Sequence, residues 1–269
     1  MQLAGARILI TGASSGIGEA LSKMMAQRGA IVVLVSENQA ELQRVASEIS
    51  SAGGQAVAKQ LDLTSNERKD VIARIEAEHG PIDVLVNNAG MGLGASIPAT
   101  TDTDLRLVFE LNFFALFDLS RQALQQMGTR HRGIIVNVTS AAARLGSPGI
   151  SAYSATKGAV HTFTQALRME ADACGVQVCE CLPISVRTRF FDSARGSRYS
   201  PGGVVLTPER VAHSICNAIG RTRVPSEVLP FRPIRLAFIV DACLPGLLPS
   251  LQIAAQNRRA KSHMRNHSA

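Results

Sequence analysis

The stretch Arg7-Ile8-Leu9-Ile10-Thr11-Gly12-Ala13-Ser14-Ser15-Gly16-Ile17-Gly18 runs from a short apolar segment into three glycines spaced G-x-x-x-G-x-G. An apolar run this short, closed by glycine, reads as a buried strand, and residues 17–28 then take up a helical period. Gly12 permits a tight exit from the strand, Gly16 lets the backbone come close to a phosphate group, and Gly18 lets the helix pack closely on the sheet. Backbone N–H groups at the helix start, together with its dipole, attract an anion. A glycine-rich turn can be purely structural; the strand–turn–helix context argues for a binding turn.

Working outward, the same alternation repeats. Short Val/Ile-rich runs occupy 8–11, 31–35, 56–61, 83–88, 133–138, 176–182 and 227–230, nearly continuous as in strands buried on both faces. Helical patterns fill 17–28, 38–51, 65–79, 102–127, 153–174 and 207–221. Thr64-Ser65-Asn66-Glu67 and Thr207-Pro208-Glu209 mark helix starts, and Gly53-Gly54 and Gly80-Pro81 mark ends. The expected fold is α/β: a single doubly wound Rossmann domain, with a parallel sheet of about seven strands flanked by helices on both faces. It spans residues 1–235, followed by an apolar and then basic extension over 236–269.

The chain has 269 residues, 46% hydrophobic and 18% charged, enough to fill a core and incompatible with disorder throughout. Trp is absent and aromatics are 4%, which disfavours nucleic-acid platforms built on stacking. The net charge of +7 is uneven: residues 1–186 carry −2 and residues 187–269 carry +9. A uniformly basic nucleic-acid binder is therefore disfavoured. Cys174, Cys179, Cys181, Cys216 and Cys243 lack the paired spacing of a disulfide framework or a zinc site, so no metal is expected and a reducing interior is. Residues 1–11 do not read as a signal peptide, and 236–255 are broken by Asp241, Pro245 and Pro249, so no membrane span is expected. The expected location is cytoplasmic.

Tyr153 and Lys157 lie four apart at the start of a helix and share a face. An ammonium beside a phenol favours the phenolate, the requirement for proton exchange near neutral pH. Alone, this spacing is common and also reads as a surface pair. Together with TGASSGIG (11–18), Asp62-Leu63, NNAG (87–90), Asn112, Ser140 and Pro183-x-x-Val186-x-Thr188, in this order, it resembles the short-chain dehydrogenase/reductase family over about residues 4–230.

The resemblance implies hydride transfer between a nicotinamide cofactor, NAD(P)(H), and a carbonyl/alcohol pair. Tyr153 is then the general acid, Ser140 orients the carbonyl, Lys157 supports Tyr153 and the ribose, and Asn112 holds a water in a proton relay. It also implies a cofactor bed of Gly12, Ser14, Ser15, Gly16, Ile17, Gly18, Ser36, Glu37, Asp62, Leu63, Asn88, Ala89, Gly90, Tyr153, Lys157, Pro183, Val186 and Thr188. Bland readings stand beside these: Asn112 as a helix–core hydrogen bond, Asn87 as a turn residue, Asp62 as a cap. Ser36 takes the place of the usual ribose-binding acid and Glu37 follows it, while Ser15 is neutral where many NADP users are basic; this leans toward NAD. Ile184 and Ala143 stand where the family often has Gly.

The substrate is expected under residues 91–98, 144–150 and 187–206, beside Met91, Leu93, Leu145, Phe190, Phe191 and Arg187, Arg189, Arg195 and Arg198. The apolar residues favour a lipid-like, steroid-like or aromatic carbonyl compound; the arginines suit an anionic tail or simply solvate a mobile lid. Helices 102–127 and 153–174 are apolar on more than one side, which fits the homodimer or homotetramer implied by the family. The extension caps the substrate pocket, packs on a partner subunit or rests on an anionic membrane surface. A catalytically silent NAD(P)-binding regulator or scaffold is the alternative; the complete Asn112, Ser140, Tyr153 and Lys157 set argues against it.

Overall fold

A computed structural model describes residues 2–188, 190, 195–196, 203–250 and 253. The chain divides into two units, Met1–Pro230 and Phe231–Ala269. The first opens with β1 (Arg7–Thr11), α1 (Gly16–Gln27), β2 (Ile31–Ser36), α2 (Gln39–Ser51), β3 (Gln55–Gln60), α3 (Val71–His79) and β4 (Val84–Asn87). It continues with β5 (Leu93–Gly94), α4 (Asp102–Phe109), a π turn over Glu110–Ala115, α5 (Leu116–Thr129), β6 (Gly133–Val138) and α6 (Ser151–Asp172). It ends with β7 (Val176–Cys181), β8 (Arg195–Gly196), α7 (Pro208–Ile219) and β9 (Glu227–Val228).

Seven strands form one parallel sheet in the order β3-β2-β1-β4-β6-β7-β9. The chain starts in the middle, winds outward through β2 and β3, then returns past β1 to β4. The gap between β1 and β4 is thus the point where the winding reverses, the place where ligands collect in such sheets. Every expected strand and helix of the first unit is present. α1 packs on α2 and α7, and α3, α5 and α6 pack together on strands of the sheet. Their shared core joins Leu9, Val33, Leu85 and Ile135 to Ile72, Leu119, Met127 and Leu167. The uninterrupted apolar runs reflect this packing, because central strands are covered on both sides.

The structure departs from simple periodicity in three places. β3 is half-exposed rather than buried on both faces, as befits the sheet edge. The helical pattern of 65–79 is split: Ser65 caps a single tight turn at Asn66–Arg68, Asp70 adopts φ +55°, and α3 begins only at Val71. The expected helix 102–127 contains the π turn, whose wider hydrogen-bond ring accommodates one extra residue and reorients α5. Arg68 clasps this region through Asp118 (2.8 Å), Glu110 and the Leu63 carbonyl.

The second unit contains α8 (Ile234–Cys243), which leaves Leu236 and Ile239 exposed. Among the described residues no helix is long and apolar enough to cross a membrane.

A Cβ at Gly18 would lie 2.1 Å from the Gly12 carbonyl oxygen, whereas one at Gly158 in α6 would meet nothing closer than 3.5 Å. Gly18→Ala is expected to cost at least ~1–3 kcal/mol in urea unfolding, and Gly158→Ala to gain ~1 kcal/mol from helix propensity.

Candidate active site

The β1 exit is tied to the β4 exit by side chains. The Thr11 hydroxyl accepts from the Asn88 and Ala89 amides at 3.0 and 2.9 Å, and the Asn88 side-chain amide donates to the Thr11 carbonyl at 2.9 Å. Gly12 and Gly16 have φ +64° and +56°, a conformation side chains resist. A Cβ at Gly12 would meet Ala89 at 2.9 Å, and one at Gly16 would meet the Thr188 methyl at 3.0 Å. Gly12, Gly16, Gly18, Asn88, Ala89 and Thr188 therefore come together. Ser15 precedes α1 without capping it through its side chain, so the helix N-terminus keeps N–H groups for an anion. Asn87 is no turn residue: it is buried and donates to Ser120 and Asn137, both at 2.9 Å.

The bed continues toward the end of β2. The Ser14 and Ser36 hydroxyls share a hydrogen bond of 2.9 Å, and Glu37 is exposed beside them. The Asp62 carboxylate accepts from the Thr64 amide and hydroxyl at 2.8 and 2.7 Å, closing a local turn, and Leu63 is buried in the core. On the other side, the Pro183 carbonyl accepts from Ala141 at 2.8 Å, and Val186 bridges Leu206. Ile184 has no positive φ, so its replacement of Gly strains nothing.

Tyr153, Lys157 and Asn112 are all buried. α6 brings Lys157 against the end of β6, where its ammonium donates to the Val138 carbonyl at 3.2 Å and sits 5.9 Å from the Tyr153 ring centre. Burial pushes the Lys157 pKa down to about 8, and the negative charge of Glu180 opposes that effect. Asn112 lies in the π turn. Its amide donates to the Met91 carbonyl (3.0 Å) and the Thr156 hydroxyl (3.1 Å), and its oxygen accepts from the Met91 amide (2.8 Å). A Cβ at Gly90 would touch both Asn112 (3.1 Å) and Lys157 (3.5 Å), so both side chains pack close against that glycine.

Ser140 follows β6. Its oxygen accepts from the Ala142 amide at 3.1 Å, which fixes the hydroxyl and leaves its proton to donate. The neighbouring Thr139 is buried and committed to Glu180 (2.8 Å) and the Cys181 carbonyl (3.1 Å), so of the two hydroxyls Ser140 is the one available. The Phe190 ring packs edge-on against Tyr153 with centres 5.7 Å apart. Met91 and Leu93 join a small apolar cluster with Val108 and Phe109. Gly94 and Leu93 pair with the backbone of Arg195–Gly196, whereas Arg189, Phe191 and Arg198 lie outside the described residues.

Two residues of this region were not singled out by sequence reasoning: His161 and Glu180. The signal was present, since His161 lies one helical turn beyond Lys157 and Glu180 interrupts an apolar strand between Cys179 and Cys181. Both thiols are raised by burial, that of Cys179 to about 12.

Residues 6–198 match the family described as short chain dehydrogenase. A ketoacyl reductase, HetN, of Nostoc is 32% identical over 81% of this chain and 76% of its own length. A dehydrogenase/reductase SDR family protein 7-like of Anopheles gambiae is 31% identical over 96% of this chain and 84% of its own. The solved structure of a short-chain dehydrogenase from Sphingobium yanoikuyae, in complex with NADPH, superposes with a TM-score of 0.78 at 28% identity, covering 95% of both chains.

The depressed Lys157 pKa makes a testable contribution to stability. Between pH about 8 and 10.5 the folded chain has released a proton that the unfolded chain keeps, so folding strengthens as pH rises through this window. Relative to Lys157→Met, the unsubstituted protein should gain thermal stability across that window and show no relative change below it.

Proposed function

Since the chain belongs to the short-chain dehydrogenase/reductase family, we propose that it is an NAD(P)-dependent oxidoreductase acting on a carbonyl/alcohol pair. One observation carries this reading: Lys157 is buried against β6 with Tyr153 beside it and the free Ser140 hydroxyl at the same strand end. The residues fit a dinucleotide. The uncapped start of α1 and the glycine bed closed by Thr188 form a cradle that any Cβ would obstruct. Ser14, Ser15, Gly16, Ile17 and Gly18 would hold the pyrophosphate, Ser36 and Glu37 the ribose, Asp62 and Leu63 the adenine end, and Pro183, Val186 and Thr188 the nicotinamide end, with Asn88, Ala89 and Gly90 beneath. Glu37 would repel a ribose phosphate, which favours NAD.

The bound cofactor supplies the hydride. In reduction, Tyr153 gives its proton to the carbonyl oxygen; in oxidation, it takes the proton back. Ser140 donates to the same oxygen, positioned by the Ala142 amide. The Lys157 ammonium stabilises negative charge on the Tyr153 oxygen and would hold the ribose hydroxyls of a bound dinucleotide. Every polar atom of the Asn112 side chain is occupied by Met91 and Thr156. Its oxygen keeps a second acceptor site, so a water-holding role falls to that site or to the main chain of the π turn.

An apolar substrate is supported by Phe190 against Tyr153 and by the Met91–Leu93 cluster. Exposed Phe114, Phe117 and Met169 on the π turn, α5 and α6 support a homo-oligomer through that face. Residues 1–235 are assigned as the catalytic domain. Exposed Leu236 and Ile239, with Arg232, Arg235 and the basic residues near 258–265, support peripheral contact with anionic lipid by the extension.

Dinucleotide absorbance changes with alcohols and carbonyl compounds, run with both NAD and NADP, test the activity. Tyr153→Phe should abolish turnover and leave dinucleotide affinity within about twofold, because it removes one proton donor and little binding surface. Retained turnover in Tyr153→Phe excludes the mechanism. The lipid contact predicts co-flotation with phosphatidylserine vesicles at low salt and release at high salt; no co-flotation removes it.

A further inference from the structure

Behind the Tyr153–Lys157 pair lies a polar cluster that the mechanism above does not use. Glu180 is wholly buried in β7, a strand that is otherwise Val, Gln and Cys. Both of its carboxylate oxygens lie near His161 Nδ1, at 3.0 and 2.8 Å, and one accepts from the Thr139 hydroxyl at 2.8 Å. On the far side of the ring, the Gln165 amide nitrogen is 3.2 Å from His161 Nε2 and donates to it. The ring proton is then on Nδ1, and it goes to Glu180. The carboxylate thus has two side-chain partners, His161 and Thr139, inside the core.

The cluster is aligned with the site. Val138, Thr139 and Ser140 are consecutive at the end of β6: the first binds Lys157, the second binds Glu180, and the third is the free hydroxyl. Lys157 and His161 are one turn apart on α6 and reach the same strand ends. An ammonium taken out of water needs a negative charge nearby, and Glu180 acts on Lys157 in that sense.

Among the described residues, the other charged or titratable groups around the pair do not supply this charge. On α6, Arg168 turns to the Val178 and Ser226 carbonyls, and Tyr153 is the residue served. On β7, Cys179 and Cys181 are kept protonated by burial. On β9, Glu227 stands opposite Glu180 but pairs with Arg144 at 3.4 Å. The π turn offers Glu110, which is bound to Arg68.

We propose that Glu180, held in place by His161 and Thr139, is a positioning residue that supplies the buried countercharge of Lys157. This rests on the reading of Lys157 as a working group of the site, and it is tested without turnover. The chain has five lysines. Labelled at the ε-methylene carbon, each gives an NMR signal that moves as its amine titrates, and that of Lys157 is identified by its loss in Lys157→Met. Glu180→Gln should lower the Lys157 midpoint by about one pH unit, and Glu180→Asp should keep it close to that of the unsubstituted protein. His161→Leu removes the partner that both carboxylate oxygens face, so the carboxylate is no longer held toward Lys157 and the Lys157 midpoint falls as well. A Lys157 midpoint that is the same in Glu180→Gln as in the unsubstituted protein overturns the proposal. Should Glu180→Gln not fold, an unmoved midpoint in His161→Leu overturns it. Because no substrate is present, either result stands apart from whether the chain turns over a carbonyl compound.

Discussion

The contact on which the site depends is the approach of α1 to the end of β1. Gly18 rides so close to the Gly12 carbonyl that a single methyl group would lie 2.1 Å from it. Glycine loses more conformational freedom on folding than any other residue, so three of them in one turn cost stability. Their contribution is placement: the helix N-terminus stands directly at the strand exit, and the Thr11 and Asn88 side chains lock that exit to the next. All seven strands run parallel, so every strand ends on the same side. The segments carrying Ser140 and Thr188 then need no special device to reach the glycine turn's side of the sheet, because the topology delivers them there.

The interior on that side is more polar than a stable core would choose. Asn87, Asn112, Asn137, Thr139, Lys157 and Glu180 are all buried. Most of their polar atoms are matched: Asn87 with Ser120 and Asn137, Asn137 with Thr164, Asn112 with Met91 and Thr156. Pairing limits the cost of burial but does not turn it into a gain. Lys157 is the clearest case, since burial makes its charge less favourable there than in water. A core built for stability alone would place a hydrocarbon at this position. The retained charge has a use only if another group needs it, and the Tyr153 ring is beside it.

Much of this was legible in the sequence, for reasons that differ by feature. Strand runs and helix starts were legible because they depend on neighbouring residues: Thr207 caps α7 ahead of Pro208, and Gly80 closes α3. The π turn was not, because one inserted residue hardly disturbs the apolar pattern of 102–127, yet it is what sets Asn112 against Met91. The left-handed Asp70 was likewise hidden, since its conformation depends on how α3 docks. Among site residues, the glycines and the Tyr153–Lys157 pair are local patterns. Glu180 and His161 are not; each carries a local signal, but their pairing arises only when α6 lies across β7. Asp62 shows the converse, a motif residue whose carboxylate is engaged by its own turn.

The apolar surroundings of Tyr153 have two physical consequences that should be kept apart. Phe190, edge-on to the Tyr153 ring, can contact a substrate, but it also covers that ring from water, where charge must act at short range. The second role is required whatever the substrate, because the Lys157 ammonium is strongest where solvent cannot screen it. Apolar residues touching Tyr153 therefore speak first to the chemistry. Farther along, the chain changes character: its net charge moves from −2 over residues 1–186 to +9 beyond them. The basic excess begins at Arg187, between Val186 and Thr188, within the stretch whose Thr188 methyl group lies against Gly16.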